Sequence, residues 1–321
     1  MTRRYNDFSA YLRRRFGCRV QKIAIDAGFS CPNRDGTLSF SGCLYCDGRG
    51  SGTGAAAKGQ SIGDQIQQAK ARLAARYRAK KFLAYFQAFT NTYAPCDTLR
   101  KRYDEAVADA DIVGLAIGTR PDCVDEGKLS LIEQYTATHM IWMEYGLQSM
   151  HNRTLRTINR GHTFEDFVRG VQATQGRNIM ICTHVILGLP GESKQDILDT
   201  ASAVADLGIH GIKIHSLYVL HETPLARLYK TGAFKALDEH TYVDWVVAFL
   251  ERLAPEIIIQ RLTGDPNPWG LLTPAWTLQK QRVLSLIWKT LEDRDTCQAK
   301  LYRPGQGNVP DSLVRPWRSS R

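Results

Sequence analysis

Three cysteines stand close together near the start of the chain, in a segment rich in glycine, asparagine and aspartate. They are Cys31, Cys43 and Cys46, and their spacing is C-x11-C-x2-C. A structural zinc ion requires four ligands, and the fourth would have to be an isolated cysteine such as Cys18 or Cys96. A redox dithiol of Cys43 and Cys46 would leave Cys31 without a role. Thiolates are also the standard ligands of iron–sulfur clusters, and a four-iron cluster held by three cysteines leaves one iron open. The spacing therefore favours a cluster.

The segments around these cysteines alternate between short apolar runs and longer amphipathic ones, which predicts six β–α units and a parallel sheet covered by helices. Strands are predicted at 22–26, 81–89, 111–118, 140–147, 179–188 and 211–219, and helices near 60–79, 97–109, 126–138, 163–175, 194–207 and 238–253. Right-handed crossovers would wind such a sheet into an open sheet or a barrel. Most of the predicted strands are followed by a polar loop. Catalytic groups of β/α barrels lie at the carboxyl ends of strands, so this pattern indicates an enzyme.

Composition and charge limit the class of protein further. The chain has 321 residues, of which 43% are hydrophobic and 23% charged, and its net charge is +10. No apolar run reaches the roughly 18 residues of a membrane span, and the basic, aromatic first residues do not form a secretory signal. We therefore expect a cytoplasmic protein without a membrane partner, in which the eight cysteines are thiols or metal ligands. A basic chain of this kind suits a polyanion such as RNA, because phosphate contacts release bound counterions.

The motifs taken together resemble a known family. They are CPNRDGT, GCLYC, QAFTNTYAP, GTRPDC, EYGLQS, NRGH, GLPGE and RLTGD. With three cysteines in the loop after the first strand, this set resembles radical S-adenosylmethionine (SAM) enzymes, and in particular the elongator catalytic subunit and a bacterial family close to it. The usual cysteine spacing in the superfamily is CxxxCxxC, and the wider first gap is typical of this branch.

The resemblance implies a fold, two cofactors and a reaction. The expected fold is α/β, a partial (β/α)6 barrel with a C-terminal α/β extension. A basic arm (1–21), a radical SAM core (22–253) and the extension (254–321) are the expected parts. A [4Fe-4S] cluster on Cys31, Cys43 and Cys46 would cleave SAM reductively to a 5′-deoxyadenosyl radical. The electron would come from a donor such as flavodoxin or ferredoxin.

The resemblance also assigns residues to the SAM pocket. Tyr45 occupies the place of an aromatic residue beside the adenine, Gln148 that of a glutamine for the ribose, and Arg160, twelve residues later, that of an arginine for the SAM carboxylate. The planar donor fork of arginine suits a carboxylate, although a barrel-exterior salt bridge would also explain Arg160. In GLPGE, Gly188 and Gly191 would let the backbone approach the adenine.

Two further assignments depend on strand positions. Many relatives carry GGE after the second strand to bind the SAM amino group; this chain has QAFTNTY there, so Gln87, Thr90 and Asn91 are expected to serve instead. Glu144 lies inside an apolar strand, where an unpaired carboxylate is costly. We expect it to point into the barrel and to contact SAM or a catalytic partner.

The resemblance, the basic charge and the arginine-rich segments predict tRNA as the substrate, with modification of a wobble uridine. Arg13, Arg14 and Arg15 in the arm and the tail from Arg315 onward are the expected phosphate contacts. Two alternatives stay open: a radical SAM enzyme acting on a tetrapyrrole or another small metabolite, and a non-enzymatic zinc protein that binds RNA. Cys96 and Cys123 are either substrate-side thiols or small apolar fillers.

Overall fold

A computed structural model describes residues 3–50, 52–307 and 309. Its centre is a parallel sheet of seven strands in the order β1-β2-β3-β4-β5-β6-β8. These strands are β1 (Val20–Ile25), β2 (Lys81–Phe86), β3 (Ile112–Thr119), β4 (Met140–Gln148), β5 (Met180–Leu187), β6 (Gly211–Ser216) and β8 (Ile258–Arg261). A separate antiparallel pair consists of β7 (Val219–Leu220) and β9 (Leu271–Thr273). Consecutive strands are neighbours throughout the sheet, so the predicted partial barrel is confirmed.

Ten α-helices are found in the described residues. They are α1 (Phe8–Phe16), α2 (Ile62–Tyr77), α3 (Cys96–Val107), α4 (Glu126–Gln134), α5 (Asn152–Thr157), α6 (Phe164–Thr174), α7 (Lys194–Ala205), α8 (Pro224–Lys230), α9 (Glu239–Leu250) and α10 (Lys280–Asp293). Three of them begin with a capping box, in which a Ser or Thr side chain and an Asp three residues later satisfy each other's free backbone amides. These local signals fix where the helices start. None of the helices in the described residues combines the length and the apolar character that a bilayer crossing requires.

The seventh strand comes from the segment that sequence patterning assigned to the C-terminal extension. Gly211 of β6 pairs with Ile258 of β8, in parallel register, so residues beyond 254 complete the main sheet. The predicted domain limits at 21 and 253 stay a prediction. The segment from Arg315 onward, which was predicted to contact RNA, lies outside the described residues.

The two faces of the sheet have separate apolar cores. The outer face packs under the helices through alternate strand residues such as Ile117 and Ile141. The concave inner face is apolar only at the amino ends of the strands, where Trp142 is fully buried. There α1 closes the barrel: the rings of Phe8 and Tyr11 meet the Trp142 indole edge-on, with centroids 5.6 and 6.3 Å away.

This position of α1 bears on the predicted RNA-binding arm. Arg13, Arg14 and Arg15 are exposed, but α1 covers the amino ends of the strands, whereas the cysteine loop follows the carboxyl end of β1. The strands separate the two by about 20 Å, at roughly 3.3 Å per residue. The arginines therefore lie at the end of the barrel opposite to the cysteines.

The segment before α1 joins the first and last parts of the described chain. Ile259 of β8 donates its amide to the Asn6 carbonyl at 2.8 Å, and the Asn6 amide donates to Gln298 Oε1 at 2.9 Å. The Gln298 amide in turn donates to the Arg4 carbonyl at 2.9 Å. Residues 4–7 are thus held between β8 and the segment after α10.

Candidate active site

A cavity of about 200 Å³ opens at the carboxyl ends of the strands. It brings together most of the residues that the sequence indicated. Its lining includes Cys31, Cys43, Tyr45, Cys46, Gln87, Thr90, Glu144, Gln148 and Arg160. Strand ends and the loop after β1 supply these side chains, as expected for a β/α barrel.

The cysteine loop is shaped by its own hydrogen bonds. The Cys31 carbonyl accepts from the Arg34 amide at 2.8 Å, and the Cys43 carbonyl accepts from the Cys46 amide at 3.0 Å. The Arg34 guanidinium donates to the Cys46 carbonyl at 2.7 Å and packs against Gly42, where a Cβ would lie 2.9 Å from it. Gly42 has φ 70°, which favours glycine. The loop therefore holds its three cysteines in place through a framework of backbone and arginine contacts.

The spacing of the three sulfurs separates two of the metal hypotheses. Among the residues that the structure describes, the Cys31, Cys43 and Cys46 sulfurs do not all lie within 4.8 Å of one another. A tetrahedral zinc ion with Zn–S bonds of about 2.3 Å would bring them to about 3.8 Å. A cluster in which each sulfur binds a different iron sets its ligands further apart. The three sulfurs are therefore not arranged as a preformed mononuclear zinc site.

Cys43 is surrounded by hydrogen-bond donors. The Asn33 side-chain amide lies 3.5 Å from its sulfur, and Nη1 of Arg160 lies 3.6 Å from it. Such donors stabilise a thiolate and tune the potential of a bound cluster. Burial, together with the neighbouring Cys43, raises the pKa of the Cys46 thiol to about 11. Iron binding must therefore displace a proton from Cys46, which ties metal loading to pH.

Gln148 and Arg160, predicted as SAM ligands, meet at the end of β4. A Cβ on Gly146 would lie 2.7 Å from both Arg160 Nη2 and Gln148 Nε2, so a larger residue here would displace the ends of both side chains. Arg160 is buried, and its Nε and Nη2 donate to the Gly146 carbonyl at 3.2 and 2.8 Å. The exterior salt bridge that was the alternative for Arg160 is thus excluded, since its guanidinium lies inside the cavity.

The backbone of Gln148 is unusual for its residue type. Its φ is 80°, in the left-handed region that side chains other than glycine rarely adopt, and the β4–β5 register shifts between Gly146 and Gln148. Backbone strain of this kind costs on the order of 1–3 kcal/mol and is concentrated at functional sites. In this conformation the amide of Gln148 and the guanidinium of Arg160 both lie against Gly146.

The loop after β2 gives a mixed result. Gln87 and Thr90 line the cavity, and the hydroxyl of Thr90 is buried without a hydrogen-bond partner in the described residues. Asn91 does not line it. Its side-chain amide donates to the Phe86 and Gly118 carbonyls at 3.1 and 2.7 Å, so it joins the ends of β2 and β3. Its Oδ1 is buried without a hydrogen-bond partner in the described residues, so the role predicted for Asn91 as a SAM ligand stays a prediction.

The two glycines of GLPGE, Gly188 and Gly191, lie outside the cavity lining. Both have left-handed φ, 91° at Gly188 and 79° at Gly191, and neither lines the cavity. A Cβ on Gly188 would lie 3.0 Å from Leu237, and the Gly191 carbonyl accepts from Arg153 at 3.2 Å. The segment is a turn between β5 and α7, and the adenine contact expected of the two glycines stays a prediction.

Cys96 and Cys123 are not part of the cavity lining either. Cys96 is exposed at the start of α3, and Cys123 is buried between β3 and α4. Burial raises the pKa of Cys123 to about 12, so its thiol stays protonated. The filler interpretation fits Cys123. Tyr45 does line the cavity, and burial raises its pKa, so the phenol stays neutral.

A charged cluster forms the floor of the cavity. Glu144 is fully buried and its two oxygens contact Lys22, at 2.5 Å, and Lys213. His184 Nε2 lies 2.9 Å from the same carboxylate, and Lys22 also donates to Gln260 at 2.7 Å. Burial alone would raise the pKa of Glu144, but the two lysines outweigh it and hold that pKa well below its usual value. The inward orientation predicted for Glu144 is therefore confirmed, and its first partners are lysines.

This cluster carries surplus positive charge. Two ammonium groups face one carboxylate, and burial and the charge of Lys213 lower the pKa of His184 to about 4, which leaves its imidazole neutral near pH 7. The ring of Tyr85 lies over Lys213, whose Nζ is 3.9 Å from the ring centroid. The floor of the cavity thus favours a bound anion.

Two residues that sequence reasoning did not single out also position the site. Arg120 is almost fully buried, forms a bidentate pair with Asp122 at 2.9 and 2.7 Å, and donates to the Arg160 carbonyl at 2.7 Å. His162 Nε2 lies 3.1 Å from the Gly146 carbonyl, and burial and the adjacent arginines lower its pKa. Both belong to quoted motifs, GTRPDC and NRGH. A charged side chain at the end of an apolar strand was the signal available for Arg120.

Comparisons with known proteins agree with this arrangement. Residues 31–204 match the Radical SAM superfamily and residues 209–293 match the Radical SAM C-terminal domain. "Uncharacterized protein YtqA" of Bacillus subtilis is 40% identical over 94% of each chain. The tRNA uridine(34) acetyltransferase of Methanocaldococcus infernus is 27% identical over 57% of this chain and 34% of its own length.

A solved structure shares the fold. The archaeal M. infernus Elp3 with an N-terminal deletion superposes with a TM-score of 0.61 and 19% identity, over 74% of this chain and 59% of that one. The family match also confirms the enzyme class and the two cofactors that the motifs predicted, a [4Fe-4S] cluster and SAM. With its three cysteines gathered at the mouth of a parallel partial barrel, the chain belongs to the radical SAM superfamily.

Proposed function

We propose that this radical SAM enzyme modifies a uridine of tRNA. The observation that carries the proposal is the similarity of more than half of the chain to a tRNA uridine(34) acetyltransferase. The shared part is about a third of that protein, so we propose the RNA substrate and not the acetyl transfer. The net charge of +10 supports a polyanionic substrate.

The residues present fit the two cofactors. Cys31, Cys43 and Cys46 would hold the cluster. Two buried oxygens, Oδ1 of Asn33 and Oγ1 of Thr90, have no hydrogen-bond partner in the described residues, although both residues line the cavity. Buried polar atoms of this kind are normally satisfied, and a bound molecule with several polar groups would satisfy them.

When bound, the cluster and SAM supply a 5′-deoxyadenosyl radical, which abstracts a hydrogen atom from carbon. The chain's own residues bind these two cofactors and orient them. Arg160 offers Nη1 on the cavity side while its Nε and Nη2 are fixed by Gly146, which suits a carboxylate. Gln148 lies beside it, and the neutral Tyr45 adds an aromatic wall. The electron for cluster reduction would come from a small donor protein such as flavodoxin or ferredoxin.

The decisive experiment compares tRNA nucleosides. Digested tRNA from wild-type cells, from cells lacking the gene and from cells complemented with the wild type or a Cys43→Ala variant would be analysed by mass spectrometry. We expect one modified uridine to disappear on deletion, with its precursor accumulating, and to return only with the wild type. Identical nucleoside profiles in all four strains would contradict the proposal.

An assay with purified protein separates RNA from a small metabolite. Anaerobically reconstituted, reduced enzyme would be given SAM with and without tRNA from the deletion strain, and 5′-deoxyadenosine release would be measured. We expect this tRNA to increase the release, and tRNA from wild-type cells to have a smaller effect because its target is already modified. A release rate that ignores both tRNAs would favour a tetrapyrrole or another metabolite as substrate.

A further inference from the structure

A second compartment adjoins the cluster cavity on its open side. Its volume is about 480 Å³, within the range of small-molecule sites. Six residues line both spaces, so they are continuous: Asp47, Gln87, His215, Tyr218, Leu220 and Arg261. We call this second compartment the antechamber. A substrate that reaches the cluster cavity from solution on this side passes through it.

The rim of the antechamber carries an almost fully exposed tryptophan. The side chain of Trp269 is 94% exposed, more than any other large hydrophobic side chain in the described residues. Its loop is fixed: the Trp269 amide donates to Asn267 Oδ1 at 3.1 Å, and the His221 amide donates to the Gly270 carbonyl at 3.0 Å. An indole held in solvent on an ordered turn next to a cavity is a ready stacking surface.

A buried polar atom without a hydrogen-bond partner in the described residues lies at the border between the two compartments. Nε2 of His215 is buried and has no hydrogen-bond partner in the described residues. The His215 ring lies 5.3 Å from that of His184, and Arg261 lines the same border. Burial and the charge of Arg261 keep the pKa of His215 below its usual value, so the ring is neutral. A neutral imidazole can donate to or accept from the edge of a bound base.

We propose that the antechamber receives the unstacked base of the target nucleotide and that Trp269 stacks on that base. The proposal rests on the proposed function, because it takes the substrate to be RNA. Enzymes that act on a base must take it out of the stack, and aromatic side chains then hold it by its face. Arg49 and Arg261 provide positive charge for the attached phosphates, in a lining that also holds Asp47, Glu222 and Asp265. Asp265 is paired with Lys280 at 2.9 Å. His215 contacts the edge of the base.

A binding measurement tests this without turnover. Trp269→Ala and a control, Phe40→Ala, would be titrated with an unmodified tRNA transcript and with a single-stranded uridine-containing oligonucleotide. Phe40 is also an exposed aromatic residue, 81% exposed, and it lines neither compartment. Because stacking on one aromatic side chain is worth a factor of about 5 to 150 in affinity, we expect that loss for Trp269→Ala and less than about twofold for Phe40→Ala.

Tryptophan fluorescence gives a second readout. Binding of the oligonucleotide should quench part of the wild-type emission, and this change should be absent in Trp269→Phe, which keeps a stacking ring. Equal losses of affinity in Trp269→Ala and Phe40→Ala, or unchanged quenching in Trp269→Phe, would overturn the antechamber proposal alone. Failure of the wild type to bind either RNA, with unchanged tRNA nucleosides in deletion cells, would overturn the proposed function and this inference with it.

Discussion

Replacing Glu144 by glutamine should destabilise the barrel in a way that depends on pH. The carboxylate is fully buried and contacts Lys22 at 2.5 Å and Lys213 from its other oxygen. Glutamine keeps the shape but removes the charge, which leaves two ammonium groups facing each other. Breaking a buried pair by removing one partner costs about 3–5 kcal/mol.

The cost has an upper limit, because a lysine without its carboxylate can release its proton. At pH 7 this costs an ordinary lysine about 4.6 kcal/mol, so two lysines limit the loss to about 9 kcal/mol. A lysine whose pKa is lowered in the folded state gains stability as pH rises toward its unfolded pKa. The Glu144→Gln defect should therefore shrink between pH 7 and pH 9, by up to about 1.4 kcal/mol per pH unit for each lysine that has lost its proton.

The assay is urea unfolding of the reconstituted protein, followed by circular dichroism at pH 7, 8 and 9. The double variant Glu144→Gln/Lys213→Met is the matched control, since it removes one of the stranded charges and should recover part of the loss. Comparison with the wild type at each pH cancels the contribution of the cluster. If Glu144→Gln and the wild type differ by the same amount at all three pH values, the lysines are not the source of the cost and our account of the floor is refuted.

Three further predictions concern the cofactors and the imidazole. Cys31→Ser, Cys43→Ser and Cys46→Ser should each lose the four-iron cluster, measured as iron and sulfide per chain; full iron in any one of them contradicts the ligand set. Arg160→Lys should weaken SAM binding by about 1.5–3 kcal/mol in equilibrium dialysis, because a lysine cannot hold the Gly146 carbonyl with two nitrogens and present a third to the SAM carboxylate; unchanged affinity would leave Arg160 a structural role only. His184→Asn should flatten the loss of stability on acidification between pH 6.5 and about 4, since wild-type His184 is held neutral in the fold and protonates when unfolded; parallel wild-type and variant curves would exclude this.

The sequence predicts the position of a site residue where spacing along the chain and the end of a strand determine it, and not where the direction of the side chain decides. The cysteines, Gln148 and Arg160 were predicted correctly to share one cavity, because their spacing and their strand-end positions set where they lie. Spacing did not show that the side-chain amide of Asn91 joins the strand ends beneath the cavity and that Asn91 is not part of the cavity lining. The left-handed backbone of Gln148 left no trace in the sequence.

The charged cluster at the floor of the cavity was partly predictable from the sequence. Lys22 and Lys213 are lysines within apolar strands, the same signal that pointed to Glu144, and pairing them would have predicted the cluster. The seventh strand was placed in the extension, because a short apolar run after a sixth unit does not reveal which edge it joins. The exposure of Trp269 depends on a turn held by Asn267, which only coordinates show.

The hydrogen bonds that join residues 4–7 to Ile259 and Gln298 have a consequence for how the protein folds during synthesis. Asn6 leaves the ribosome before its partners Ile259 and Gln298, which follow some 250 to 290 residues later. Lys22 is likewise synthesised about 120 residues before Glu144, its ion-pair partner. Contacts of such long sequence separation form slowly, because a long loop must close before they contribute. Residues 4–7 therefore stay unanchored until nearly the whole sheet has been made, and during this interval the apolar face of α1 is open to chaperones and to aggregation.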